Sequence, residues 1–169
     1  MLNPEKPKDT LGGMMMLKIS KRASVHLSLA IAVAFFAVLV VGICYAPTVA
    51  EILMWIAGER MAAVSLGKTL VLMAIYAVIA IAMLADGLLF ALLLRVRSGK
   101  VFSAGSVALI RGISWCSAAV GLVFAGLGYC FPLALIVAVA ALFLALSVRV
   151  VKNVIEEATA IKSENDLTV

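Results

Sequence analysis

The sequence is poor in the side chains from which catalytic and metal sites are built. His26 is the only histidine, which excludes haem held between two axial histidines. Cys44, Cys116 and Cys130 form no Cys-x-x-Cys pair, which excludes a thiol relay through adjacent sulfurs. No serine-hydrolase elbow, phosphate-binding loop or zinc-protease helix occurs in the chain. We therefore expect a protein that is not an enzyme and that has no cofactor and no metal.

Charged residues are also scarce, and this scarcity defines the protein class. Only 14% of residues are charged and 65% are hydrophobic, with a mean hydropathy of +1.19. A transmembrane helix needs about 20 mainly apolar residues to cross roughly 30 Å of hydrocarbon. The sequence therefore predicts an all-α integral membrane four-helix bundle in a lipid bilayer, a membrane domain over residues 25–151. Its spans are predicted at 25–46, 70–94, 112–129 and 133–148.

The basic residues are distributed unevenly around these four spans. Of the 14 lysines and arginines, only Arg60 and Lys68 lie between the first two spans, where Glu51 and Glu59 balance them. Short flanking segments rich in lysine and arginine stay in the cytoplasm. We therefore expect a multi-pass protein of the cytoplasmic membrane, with its N-terminus and its C-terminus both in the cytoplasm.

The net charge of +5 raises nucleic-acid binding as an alternative interpretation. The basic residues flank the spans, however, and are not interleaved with aromatic residues on a soluble module. We therefore expect no direct nucleic-acid binding. A basic collar that orients the helices and attracts anionic lipid is sufficient to explain the charge.

Residues 1–24 precede the first span and are predicted to be a flexible cytoplasmic segment. The methionine triplet at 14–16 offers a second translation start, in which case residues 1–13 are not translated. A cleaved signal peptide is a further alternative, with Thr48 and Ala50 as the small residues before the cut. The first apolar run is longer than the roughly 7 to 15 residues of such a peptide, so we favour an uncleaved span.

The segment between the first two spans is predicted to contain a short helix on the outer surface. Thr48 and Glu51 have the spacing of a capping box, and Trp55 is a residue that favours the headgroup level. We expect this helix to cover the ends of the spans, with ligand binding as the alternative. Cys44 and Cys130 lie near the same predicted outer surface, so a disulfide between them is a second open question, and we expect free thiols.

The last helix is predicted to continue beyond the membrane into a cytoplasmic tail of residues 152–169. Two interpretations of this tail stay open: its apolar stripe packs against the basic loop of the same chain or against a second copy, or it docks a soluble partner. Helical spacing defines the stripe as Val151, Val154, Ile155, Ala158 and Ile161, opposite Lys152, Asn153, Glu156, Glu157 and Ser163.

Asp86 is the only formally charged residue inside a predicted span. An ionised carboxylate near the bilayer centre costs about 2.5 to 3.5 kcal/mol on insertion scales, so Asp86 should face the bundle interior. Ser117 on the third span is at a similar depth and is a candidate partner. The pair predicts either a proton or ion site within the membrane or a helix-packing contact beside Gly87.

Small residues recur on the third span at helical spacing. Ser117, Gly121, Ala125 and Gly128 form this face. Small residues let the backbones of two membrane helices approach closely. The pattern predicts helix packing, either within one chain or between the copies of a homo-oligomer.

Two segments resemble a known bacterial membrane family, the domain of unknown function 2975 (DUF2975). One is the C-terminal run Ile161-Lys162-Ser163-Glu164-Asn165-Asp166-Leu167-Thr168-Val169, and the other is the turn Gly99-Lys100-Val101-Phe102-Ser103, which is similar to the Gly-x-x-Phe-Ser turn of that family. The similarity extends from about Leu17 to the end of the chain. Asp86 matches no family feature.

The resemblance implies a partner. Members of the family are often encoded beside a small helix-turn-helix regulator of the Cro/CI type, which implies a bacterial inner-membrane protein that holds or restrains such a regulator. The candidate docking residues are Ile161, Lys162, Glu164, Asn165, Asp166, Leu167, Thr168 and Val169. A small transporter that uses Asp86, or an accessory subunit of a membrane complex, is the alternative.

Overall fold

The chain forms four long helices. The computed structural model describes residues 21–58, 67–99 and 102–166, and none of these residues is in a strand. All four helices are long and apolar enough to cross a bilayer, so the predicted all-α membrane fold is confirmed and the chain is a multi-pass membrane protein. The helices are α1 (Lys21–Ala57), α2 (Gly67–Arg97), α3 (Ala104–Leu127) and α4 (Pro132–Asp166).

Each helix packs on its neighbour in the chain. The contact between α3 and α4 is the most extensive, followed by the contacts of α1 with α2 and of α2 with α3. Over the described ranges, the backbone of α1 makes no close approach to α3 or α4, and that of α2 makes none to α4, although side chains of α1, α3 and α4 border common cavities. The bundle is therefore open along the side where α1 and α4 lie.

Two short turns determine how α2, α3 and α4 follow one another. Gly99 ends α2 with φ +73°, a left-handed conformation that favours glycine. Ser103 caps α3, since its hydroxyl accepts a hydrogen bond from the Ser106 amide at 3.3 Å. After α3, the Phe131 amide donates to the Leu127 carbonyl at 2.9 Å. Pro132 is then the first residue of α4, a position where its missing N–H costs nothing.

The predicted separate surface helix is wrong, because residues 48–57 are the continuation of α1. The helix contains Pro47 and ends only before Gly58, which has φ +53°. Proline removes one backbone hydrogen bond, and membrane helices tolerate this where neighbouring packing holds the backbone. Ala46 and Ala50 on either side are 1% and 0% exposed, and Ala50 packs with Val71 of α2. This contact with α2 keeps α1 helical past the proline.

At its other end α1 begins earlier than expected. The predicted flexible segment extended to residue 24, whereas the backbone is helical from Lys21. The remainder of that prediction, together with the proposed start at the methionine triplet, lies outside the described residues. With 37 residues, α1 is roughly 55 Å long, so it extends well beyond the hydrocarbon region.

The last helix continues past its apolar run without a break, as predicted. From Arg149 to Asp166 it adds roughly 27 Å beyond the predicted fourth span. The predicted apolar stripe is neither wholly buried nor wholly exposed. Ile155 and Ala158 are half-buried, whereas Val151, Val154 and Ile161 are 52%, 61% and 55% exposed. The rotation of α4 is set instead by the alanines that pack on α3.

Small residues bring α3 and α4 close together. Ala138 and Ala145 of α4 are buried, and the buried Ser114 hydroxyl of α3 donates to the Ala145 carbonyl at 2.9 Å. A Cβ atom added at Gly121 would lie 2.8 Å from Leu142 Cγ and 3.3 Å from the Ala138 carbonyl oxygen. The glycine is therefore required for this approach.

The predicted small-residue face corresponds only in part to this contact. Gly121 and Gly128 are buried, Ser117 is half-buried and Ala125 is exposed. Steps of four residues advance by about 40° around a helix of 3.6 residues per turn, so Ala125 has rotated away from α4. The contact is within one chain.

We predict that Gly121→Leu destabilises the bundle. The added side chain meets Leu142 and the α4 backbone, and overpacking of this kind costs about 1 to 3 kcal/mol. Unfolding by denaturant in bicelles, followed by helicity, measures the change. Gly126→Leu is the matched control, because Gly126 is exposed and a Cβ atom there meets nothing within 4 Å. Equal stabilities of the two variants would contradict the close approach at Gly121.

Candidate functional site

A cleft inside the bundle contains the buried carboxyl group of Asp86. This side chain is 6% exposed on α2 and borders a cavity of about 300 Å³. All four helices contribute to the walls, through Phe35 of α1, Ile113 and Ser117 of α3, and Leu144 of α4. Asp86 thus faces the bundle interior, where the insertion cost of a charge requires it to be.

Among the residues that the structure describes, the Asp86 carboxyl group makes no hydrogen bond or ion pair, and its oxygens are not fully enclosed, since no fully buried side-chain oxygen or nitrogen lacks a partner. Ser117 borders the same cleft, but its hydroxyl donates to the Ile113 carbonyl of its own helix at 3.1 Å. Asp86 and Ser117 therefore line the same cavity, but no hydrogen bond connects them. A second cavity of about 260 Å³, between Phe36 of α1 and Phe90 of α2, also reaches Asp86.

The side chains of this cleft can perform few kinds of chemistry. A carboxyl group without a protein partner can accept a proton, or a hydrogen bond from a bound cation or amine. Within residues 21–58, 67–99 and 102–166, no three His, Cys, Asp or Glu side chains are grouped closely enough to hold a metal ion. Cys44, Cys116 and Cys130 are free thiols.

The second candidate site is the end of α4. Ile161 and Lys162 are exposed on the last turns of the helix, beyond a segment that ion pairs attach to α3. Glu156 accepts from Lys152 one turn earlier and lies 3.6 Å from the Arg111 guanidinium of α3. These pairs hold the first part of the extension beside α3 and leave its later turns uncovered.

For the predicted docking residues after Glu164, the structure describes at most the backbone. Asn165 and Asp166 belong to the helical backbone of α4, and their side chains lie outside the described part of the chain, as do Leu167, Thr168 and Val169. The described docking residues are thus Ile161, Lys162 and Glu164.

The chain was compared with protein-family models, curated proteins and solved structures. A model described as "Protein of unknown function (DUF2975)" matches residues 50–169. The chain belongs to the DUF2975 family. No curated protein and no solved structure matches it. The DUF2975 match includes the last turns of α1, all of α2, α3 and α4, and the C-terminal run, so both segments that carried the resemblance lie within it.

The fold gives the Gly-x-x-Phe-Ser turn of this DUF2975 protein a structural role. Gly99 supplies the left-handed residue that ends α2, and Ser103 supplies the cap that begins α3. The turn therefore sets the spacing of α2 and α3, and with it the position of Asp86 relative to α3.

We predict that Asp86→Asn does not destabilise the protein and raises its stability by up to about 2 kcal/mol. The carboxyl group makes no described hydrogen bond, so its removal eliminates a cost of burial without loss of a contact. Denaturant unfolding in bicelles is the measurement. Ser114→Ala is the comparison variant, with an expected loss of about 1 kcal/mol because it removes the hydrogen bond to Ala145. If Asp86→Asn lowers the stability by more than Ser114→Ala does, the carboxyl group makes a stabilising packing contact.

Proposed function

We propose that this protein is a membrane anchor for a small helix-turn-helix transcription regulator, which binds the part of α4 that extends beyond the bilayer. The proposal assigns the protein a binding role and no catalytic activity. It places the chain in a bacterial inner membrane with both termini in the cytoplasm, where a regulator is available.

The observation that supports this proposal is the exposed apolar stripe on the part of α4 that extends beyond the bilayer. Val151, Val154 and Ile161 are each more than half exposed on one side of α4, while Ile155 and Ala158 of the same stripe are half-buried. An amphipathic helix with exposed apolar anchors at spacings of three and seven residues is the form in which a groove on a partner binds a helix. The family match extends through this segment to residue 169.

The distribution of charge supports the orientation. Arg95 and Arg97 end α2, Arg111 lies near the start of α3, and Arg149 and Lys152 follow the apolar run of α4. We call this side of the bundle the basic end. At the opposite end Lys68 is paired with Glu51 at 3.0 Å, and these two are the charged residues of the described ranges there. The positive-inside rule then assigns the basic end to the cytoplasm.

We predict that Val154→Glu and Ile161→Glu each abolish co-purification with the regulator encoded beside the gene, as does deletion of residues 161–169. A charge buried without a partner at an apolar contact costs about 3 kcal/mol or more, a loss of affinity of at least about 100-fold. Pull-down of the co-expressed, tagged regulator from detergent-solubilised membranes is the measurement.

Ala160→Glu is the matched control for this experiment. It adds the same charge to an exposed position on the other side of α4, so the complex should persist. A reporter fused after residue 169 should remain in the cytoplasm in every variant. The proposal fails if the complex persists in all three stripe variants, or if the wild-type reporter is exported.

The second candidate is a small transporter, or an accessory subunit of one, that uses Asp86. The observation in its favour is the buried carboxyl group at a cavity without a described partner. A group retained at a cost in stability is typical of a functional site. This candidate requires the substrate to carry a proton, a positive charge or a hydrogen-bond donor to the cleft.

For this candidate we expect a substrate-dependent flux in proteoliposomes that disappears with Asp86→Asn. Asp86→Glu keeps the carboxyl group and should retain part of the flux, and Ser117→Ala should retain most of it because that hydroxyl is bonded to its own helix. Flux that is unaffected by Asp86→Asn would exclude the transport role and leave the anchoring role intact.

A further inference from the structure

A hollow between α3 and α4 at the basic end collects positive charge that the anchoring role does not use. The hollow has a volume of about 330 Å³. Three basic side chains border it: Arg111 from α3, and Arg149 and Lys152 from α4. Trp115 forms part of the wall, and Leu142 and Leu146 lie on the membrane side.

The charge in this hollow is only partly neutralised. Glu156 is the carboxylate paired with Arg111 and Lys152, which leaves a formal excess of two positive charges. The side chain of Lys152 is only 15% exposed, and its ammonium group also donates to the Asn153 side-chain oxygen at 3.2 Å. The Arg149 guanidinium carbon lies 6.0 Å from the centroid of the Trp115 ring, a distance at which the aromatic face attracts the cation.

The hydrogen bond from Ser114 to the Ala145 carbonyl fixes the two helices at the level of the hollow. The basic groups are therefore presented by a rigid pair of helices. A bound anion orders fewer side chains in such a site than it does at an isolated surface lysine, because Arg149 and Lys152 are already held by Trp115 and Glu156.

The position of the hollow along the helices indicates the kind of anion. Arg111 immediately precedes the third apolar run and Arg149 immediately follows the fourth, so both lie at the boundary of the hydrocarbon. Leu142 and Leu146 lie on the membrane side of these two arginines and are 38% and 63% exposed. Their aliphatic side chains offer no hydrogen-bond partner to a polar solute. The site thus has a cationic upper part and an apolar lower part.

We propose that this hollow binds an anionic phospholipid, with the phosphate between Arg149 and Lys152 and one acyl chain along Leu142 and Leu146. A basic pocket between membrane helices at the headgroup level suits a phosphate group. A soluble phosphate would satisfy the cations and leave the apolar part uncovered. A nucleic acid backbone would need basic groups that continue away from the membrane.

The two tryptophans of the chain make a direct test available. Trp115 borders the hollow, whereas Trp55 is 85% exposed at the opposite end. Trp55→Phe therefore leaves Trp115 as the single fluorophore, and Trp115→Phe leaves Trp55. Each protein is reconstituted in phosphatidylcholine vesicles that contain a small fraction of either chain-brominated phosphatidylglycerol or chain-brominated phosphatidylcholine, and quenching is recorded.

Trp115 should be quenched by brominated phosphatidylglycerol with a preference of about 30-fold over brominated phosphatidylcholine. This ratio corresponds to about 2 kcal/mol for two uncompensated basic residues, at about 1.4 kcal/mol per tenfold change. Trp55 should show no preference between the two lipids. Equal quenching of Trp115 by both lipids overturns the proposal without any further variant.

The double variant Arg149→Gln/Lys152→Gln should lose the preference, because Arg111 then remains balanced by Glu156. Arg95→Gln/Arg97→Gln removes the same charge from exposed positions outside the hollow and should keep the preference. If both double variants lose it equally, the basic end attracts lipid only as a diffuse surface and the specific site is refuted.

Inorganic phosphate distinguishes a lipid from a soluble ligand. Added to the Trp55→Phe protein at an ionic strength matched with sodium chloride, it should leave the quenching by brominated phosphatidylglycerol unchanged. Relief of quenching by phosphate and not by chloride would reassign the hollow to a soluble phosphate compound and would overturn the lipid proposal.

Discussion

The close contact between α3 and α4 is the interaction on which the described sites depend. Lipid tails are as apolar as the helices they surround, so membrane helices associate through backbone proximity and interhelical hydrogen bonds. Here Gly121 provides the proximity, and Ser114 provides the hydrogen bond to Ala145. Both the basic hollow and the orientation of the α4 extension follow from the rotation of α4 that this contact sets.

The four helices could be predicted from the sequence because one strong constraint acts on them. Every backbone group in hydrocarbon must be satisfied within its own segment, so apolar length translates directly into a helix. The end of α1 could not be predicted in this way. Pro47 is a sound signal for a helix boundary in water, and it was overridden by the packing of Ala46 and Ala50 against α2, a tertiary contact that local sequence does not contain.

The sites were predictable to different degrees. A single acid in an apolar run identifies Asp86 with no knowledge of the fold, whereas its lack of a bond to Ser117 depends on hydroxyl geometry. The basic hollow could not be predicted from the sequence, because its residues meet only across the hairpin of α3 and α4. The observed four-residue turn between Leu127 and Pro132 gives an antiparallel register in which Ser114 opposes Ala145 and Trp115 lies beside Arg149, whereas the predicted span ends at 129 and 133 shift this register by about three residues.

The open side of the bundle has a consequence for access to its interior. Because the backbones of α1 and α4 make no close approach over the described ranges, side chains alone, among them Phe35 of α1 and Leu144 of α4, separate the cleft at Asp86 from the acyl chains on that side. A solute that entered along this route would first have to partition into the hydrocarbon, so uncharged lipophilic amines would be favoured over protonated bases and hydrated ions. Solubility in the membrane would then select among solutes before they contact the side chains of the cleft.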